Sequence, residues 1–159
     1  MKFTIEKAQK KDYVIVLHLL TALYSELGEE AESLKFLSED FLDKILQSGR
    51  TEVFLIKDED STIGVFTLTE SQAIYAGGKY GVMDEMFIEL SCRSKGVGRQ
   101  VIEFSRELAK ESKWKRIDVT APTEERWERT SRFYEKNGFV FTGPKYKLRL
   151  KGPGEMEKS

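Results

Sequence analysis

Arg93-Ser94-Lys95-Gly96-Val97-Gly98-Arg99 is the stretch on which the fold turns. It follows a β-rich run, Tyr80 to Leu90, and precedes Val97, Val101, Phe104, Ser105 and Leu108, which recur on one face of a helix to about Ser112. Two glycines between a strand and a helix let the backbone fold closely around an anion. The first amides of the helix then point at it, together with the positive end of the helix dipole. Arg93, Lys95 and Arg99 add cationic side chains. The stretch has the chemistry of a diphosphate site.

Downstream, Arg116 to Thr120 reads as a strand. Thr123-Glu124-Glu125 opens a helix that runs to Asn137-Gly138, and Phe139 to Phe141 and Tyr146 to Leu150 read as short strands around Gly143-Pro144. Upstream, Val53 to Ile56 and Ile63 to Leu68 form a hairpin across Lys57-Asp58-Glu59-Asp60-Ser61. Before it come a strand around Phe3 and Ile5, a helix capped by Asp12 that carries Val16, Leu17, Leu20, Leu23, Tyr24 and Leu27, and a short helix between Ser38 and Gly49. The predicted order is β-α-α-β-β-β-α-β-α-β-β, without repeats or a long linker. Residues 1–151 read as one α+β domain and 152–159 as a polar tail.

The 159 residues suit a single core, with 40% hydrophobic residues to fill it and 33% charged residues to cover it. The net charge of −1 offers none of the basic excess that generic nucleic-acid binding needs. Cys92 is the only cysteine, so no intramolecular disulfide forms and nothing calls for an oxidising compartment. The charged N-terminus lacks the apolar core of a signal peptide, and no apolar run approaches the length of a bilayer span. The expected compartment is the cytoplasm, with neither nucleic acid nor membrane as a partner. One histidine, His18, and one cysteine make no metal site. His18 lies among leucines and reads as a packing or boundary residue, and Cys92 as structural.

Three families of phosphate loop compete for the glycine stretch. A Walker loop needs Gly-Lys-Ser/Thr, which is missing. A dinucleotide fingerprint needs a third glycine where Val101 stands, although Asp118 follows at about the right distance for its acid. What remains, Arg-x-x-Gly-x-Gly with Ile88 five residues before Arg93, resembles the acetyl-CoA pyrophosphate loop of the GNAT superfamily of N-acetyltransferases. Arg132-Phe133-Tyr134-Glu135-Lys136-Asn137-Gly138-Phe139 closely resembles that family's C-terminal signature. The two motifs stand in the family's order, and the matching element order covers almost the whole chain.

The resemblance implies a single mixed, mostly antiparallel central sheet with helices on both faces. It implies two central strands that splay after Ile88 to admit the pantetheine arm of acetyl-CoA. The contacts it implies are Met86, Phe87, Ile88, Arg93, Ser94, Lys95, Gly96, Val97, Gly98, Arg99 and Tyr134. Amides around Phe87 and Ile88 would polarise the thioester carbonyl. Tyr134 would supply a proton to the departing thiolate. An amine nucleophile must lose a proton before it attacks, and Glu85, then Asp84, are the carboxylates placed to take it. Strand alternation sends those two to opposite faces.

The family often has an asparagine seven residues before the tyrosine, where this chain has Trp127; Thr123 or Thr130 would have to replace its polar contact. The family's acceptor pocket involves the segment between the first two helices, which here holds Glu26, Glu29, Glu30 and Glu32, followed by Glu39, Asp40 and Asp43. The expected acceptor is thus a small-molecule primary amine that attacks the thioester directly. It is cationic and polyamine-like if these acids act as an electrostatic trap and not simply as a solvated helix face; polyamines, amino acids, aminoglycosides and protein amines all stay open. Met83-Asp84-Glu85-Met86-Phe87-Ile88 is distantly similar to diamine acetyltransferases but is too short to carry a substrate across. The alternatives are a non-catalytic acyl-CoA-binding or sensing domain and an acetyltransferase acting on protein amines. Family members often dimerise, which leaves a homodimer open.

Overall fold

A computed structural model describes residues 3–120 and 128–150. They belong to two compact units, Met1–Val119 and Thr120–Ser159. Six strands of the first unit make one sheet: β1 (Thr4–Lys7), β2 (Thr51–Asp58), β3 (Ser61–Ala73), β4 (Gly78–Met83), β5 (Met86–Ile88) and β6 (Ile117–Val119). The order is β1-β2-β3-β4-β6, with β5 paired to β3. Every pairing is antiparallel except that of β4 with β6. This is the mixed, mostly antiparallel α+β sheet expected from the sequence.

Helix α1 (Tyr13–Glu26) and helix α2 (Glu39–Gln47) cover one face, and α3 (Val97–Ser112) covers the other. Period-two alternation sorts the core between them. Val53, Leu55, Val65 and Phe87 pack with Val16, Leu19, Leu20 and Leu23 of α1 and Leu42 of α2. Phe54 and Phe66 point the other way and meet Phe104 of α3, with ring centroids 5.0 and 6.0 Å from it. Tyr13 donates a 2.7 Å hydrogen bond to Asp43, tying α1 to α2.

Ser38 caps α2 as expected, accepting from the Phe41 amide at 3.1 Å. Asp12 does not cap α1. Its carboxylate instead accepts from the Gln9 amide at 2.8 Å and closes a 3-10 turn, Lys10–Asp12, ahead of the helix. The run from Tyr80 to Leu90 is not one strand. Thr69 faces Val82 while Phe66 faces Met86, so three steps along β3 are matched by four along its partner, and Asp84 is the extra residue of a β-bulge.

The second unit contains α4 (Glu128–Lys136). It ends in a Schellman motif: Gly138 takes φ 93°, its amide donates to the Glu135 carbonyl at 3.1 Å, and that of Phe139 donates to the Tyr134 carbonyl at 3.0 Å. The hydrophobic contact that accompanies such caps is present, with the Phe139 and Tyr134 rings 5.3 Å apart. The expected strands at Phe139 to Phe141 and Tyr146 to Leu150 do not form. Strands are held by their ladders, and these residues make none among the described residues; Tyr146, Leu148 and Leu150 are all more than 80% exposed. Residues 121–127, which hold the expected start of the last helix, lie outside the described residues, as does the tail 152–159. No helix among the described residues is long and apolar enough to cross a membrane.

Gly64 sits where β3 passes closest to β5. A methyl group there would lie 2.6 Å from the Phe87 carbonyl oxygen, a backbone atom that cannot swing aside, and 2.9 Å from Ile56 Cδ1. Gly64→Ala is expected to cost about 1–3 kcal/mol, as overpacking does, in urea unfolding of the purified chain. An unchanged midpoint would show that β5 is free to shift.

Candidate active site

The bulge at Asp84 determines what β5 can offer. On its β3 side the ladder is anchored by Thr67 N–H to the Glu85 carbonyl at 3.0 Å and Glu89 N–H to the Ile63 carbonyl at 2.8 Å. Those bonds set the phase: residues 85, 87 and 89 turn their main-chain groups toward β3, and Met86 and Ile88 turn theirs away. β6 pairs with β4 only as far as Met83–Val119, so among the described residues no strand meets the far edge of β5. The expected divergence was after Ile88; the pairing ends earlier, at Met83–Val119, so all of β5 lies beyond it. The outward amides are those of Met86 and Ile88; Phe87, expected to share the role, spends its amide on the sheet.

Beyond Ile88 the chain makes a short turn, Leu90–Cys92, and reaches the glycine loop. Ser94 has φ 64° and Gly96 has φ 83°, so the loop enters α3 through left-handed residues and Gly96 stands at the N-cap. The first intrahelical bond is Gln100 N–H to the Gly96 carbonyl, which leaves the amides of Val97, Gly98 and Arg99 as the open donors of the helix start. Lys95 and Arg99 are exposed and form no ion pair among the described residues.

Arg93 is placed differently. Its Nε donates to the Ile88 carbonyl at 2.7 Å, and its two terminal nitrogens donate to both carboxylate oxygens of Glu26, the last residue of α1, at 2.8 and 2.7 Å. The guanidinium also lies over the Phe87 ring, 5.4 Å from its centroid. The hydrogen bonds from Arg93 hold the Glu26 carboxyl below its ordinary value, with burial opposing and the guanidinium charge assisting. Arg93 was expected to be a phosphate ligand, and its side chain is engaged as a strut between α1 and β5.

Glu85 faces α1. Tyr24 donates to its Oε1 at 2.9 Å, Thr67 Oγ1 donates to its Oε2, and the Glu85 amide donates back to Thr67 Oγ1 at 3.2 Å. Burial first, then the charge of Glu85, its hydrogen bond and Asp84 push the Tyr24 phenol upward, so it remains a donor at any working pH. Asp84 is exposed on the bulge. Tyr24 and Thr67 carried no signal in the sequence, since a tyrosine on a helix and a threonine in a strand meet a carboxylate only when the sheet and helix pack.

Tyr134 is the buried residue of α4, flanked by Phe133 and Phe139, and burial pushes its phenol up to about 12. Thr130 is partly buried on the same helix, whereas Thr123 and Trp127 lie outside the described residues. His18 is exposed on α1 rather than packed, and Cys92 is a half-buried free thiol. No group of three or more His, Cys, Asp or Glu among the described residues could hold a metal ion.

Residues 49–141 match the model of the acetyltransferase (GNAT) domain, a span that crosses both compact units and exceeds half of the chain. No curated protein matches the sequence significantly. Among solved structures, the ribosomal-protein-alanine N-acetyltransferase of Brucella melitensis superposes with a TM-score of 0.75 at 17% identity, over 94% of this chain and 100% of that one. A predicted acetyltransferase with acetyl-CoA from Clostridium acetobutylicum gives 0.76 at 18%, over 94% and 97%. An aminoglycoside acetyltransferase from an uncultured soil metagenomic sample, in complex with sisomicin, gives 0.74 at 16%, over 94% and 97%. At these identities the likeness establishes the fold.

The Glu26–Arg93 pair has a pH signature. Because the folded-state pKa of Glu26 lies below its ordinary value of 4.5, the pair's contribution to stability is complete above that pH and is lost as pH falls through the folded value. Urea unfolding of the wild type and Glu26→Gln from neutral pH to about pH 3 is expected to show a gap that closes toward the acid end. A gap of constant size would mean that the pair's charge does not contribute.

Proposed function

The chain belongs to the GNAT acetyltransferase family, and from that premise we propose that it transfers the acetyl group of acetyl-CoA to the primary amine of a small cationic molecule by direct attack. It is an acyltransferase by family. The observation that carries the rest is the one-sided pairing of β5 among the described residues, which leaves the main-chain groups of Met86 and the amide of Ile88 without a strand partner, a few residues before the Gly96 helix start.

The residues fit this co-substrate. Acetyl-CoA supplies an activated acyl thioester, an amide-rich arm and a diphosphate. Met86 and Ile88 offer main-chain groups in strand phase to the amides of the arm, and the amides of Val97, Gly98 and Arg99 with Lys95 and Arg99 side chains offer donors and charge to the diphosphate. An outward amide of β5 near the thioester carbonyl stabilises the charge that develops on its oxygen. Glu85 takes the proton that the ammonium must lose, directly or through water, as the carboxylate at the start of β5. As the new C–N bond forms and the C–S bond breaks, Tyr134 donates its proton to the thiolate, and the second proton shed by the nitrogen as it becomes an amide restores the phenol through water. With its pKa pushed up to about 12, the phenol is protonated at neutral pH and meets the departing sulfur as a hydrogen-bond donor.

The cationic acceptor is supported by Glu29, Glu30 and Glu32, which follow α1, and by the sisomicin-bound neighbour, whose named class is aminoglycoside. The Brucella neighbour, named for a ribosomal-protein alanine, supports a second reading in which the amine is a protein N-terminus.

Calorimetric titration with acetyl-CoA, against dephospho-CoA and NADH, is expected to show micromolar-range binding for acetyl-CoA and none for NADH; no binding would remove the transferase reading. A thiol-release screen over polyamines, aminoglycosides, amino acids and an alanine-terminated peptide then identifies the acceptor. With that amine, Tyr134→Phe and Glu85→Gln are each expected to lower kcat on the order of 100-fold while acetyl-CoA affinity stays within about twofold. Retained kcat in either variant removes that residue from the chemistry.

A further inference from the structure

We propose that Glu26 is a positioning residue for acetyl-CoA binding: it pins Arg93 across the end of β5, so that the guanidinium closes the Ile88 carbonyl and the diphosphate is met by the helix-start amides with Lys95 and Arg99. The inference rests on the acetyl-CoA reading above and concerns the same site.

The argument starts from the donor count. A guanidinium carries five N–H groups in a fixed plane. Three directions of that plane are committed in this structure, to the Ile88 carbonyl and to the two oxygens of Glu26, and one face lies over Phe87. A side chain held by α1, by the last carbonyl of β5 and by a ring of the core cannot turn toward the loop without breaking a bidentate, charge-assisted pair. Its cation is also neutralised where it stands.

The Ile88 carbonyl explains what the pin achieves. By the phase of the ladder it belongs to the outward edge of β5, the edge open to an incoming chain. With Arg93 on it, it offers no acceptor there, and the open acceptors and donors that remain are those of Met86 and the Ile88 amide. An incoming amide chain therefore has one register instead of two. The dipole of a bare carbonyl is also removed from the approach of an anionic ligand. The cost is one cation withdrawn from the phosphates, and the gain is a rim that is already formed before the ligand arrives, which spares the ordering that binding would otherwise require.

Glu26 does none of this by touching the ligand; it acts through Arg93. Calorimetric titration of the full chain with acetyl-CoA is the test, using Glu26→Gln, Arg93→Lys and the double variant, with thermal unfolding to confirm that each is folded. Each single change is expected to weaken binding about tenfold, and the double variant is expected to be no weaker than either, because the two residues form one device. Glu26→Asp, one methylene short of the fork, is expected to fall between wild type and Glu26→Gln. In turnover the loss is expected in KM for acetyl-CoA, with kcat within about twofold. Unchanged affinity in Glu26→Gln, losses that add in the double variant, or a loss confined to kcat would overturn the proposal. A wild-type chain that binds no acetyl-CoA would instead overturn the reading on which it rests.

Discussion

An extra residue in a strand that must pair with a regular neighbour has to go somewhere, and at Asp84 it goes into a bulge. The geometry of the site depends on that insertion. It breaks the run from Tyr80 to Leu90 into β4, which pairs on both sides, and β5, which among the described residues pairs on one. A bulge also increases the local twist, so β5 leaves the line of β4 as β6 ends. The opening is therefore built into main-chain pairing and does not require any particular side chain at Met86, Phe87 or Ile88. It also resets the alternation, which is why Glu85 turns into the sheet–helix interface toward Tyr24 while Asp84 stays in solvent.

Within each unit, conformation is imposed by a few residues at element ends. Gly96 adopts a left-handed φ that would strain any side chain, and the helix begins there with its amides unspent. At the other end of the chain, Gly138 does the same for the C-terminus of α4 and folds Phe139 back onto Tyr134. In each case a glycine at a helix terminus sets the direction of the groups beside it, amides at one and an aromatic ring at the other.

Charge is organised by pairing more than by abundance. Of the three cations in the glycine loop, Arg93 is neutralised by Glu26 and given a structural task, while Lys95 and Arg99 remain solvent-facing. Of the two carboxylates at the bulge, Glu85 is bracketed by two hydroxyl donors and Asp84 is exposed. Neighbouring residues of the same type thus acquire different jobs from their surroundings. The net charge near zero gives no hint of this division.

Much of what depends on local spacing was legible in the sequence, the Asp12 cap being the exception. Helix periodicity, the Ser38 cap, the β2–β3 hairpin, the glycine turn into α3 and the Asn137-Gly138 helix end all follow from residues within a few positions of one another. The two motifs placed the chain in its family for the same reason. What the sequence could not determine depends on residues far apart. The Glu26–Arg93 fork spans 67 positions, and the Tyr24–Glu85 bond 61. The bulge at Asp84 is a mismatch between two strands, visible only when β3 is laid against its partner. The alternation of Tyr146, Leu148 and Leu150 reads as a strand, yet a strand needs a ladder, and local pattern supplies only half of one. Short-range stereochemistry is written in the sequence itself, while hydrogen-bond partners across the fold exist only once packing has brought them within about 3 Å.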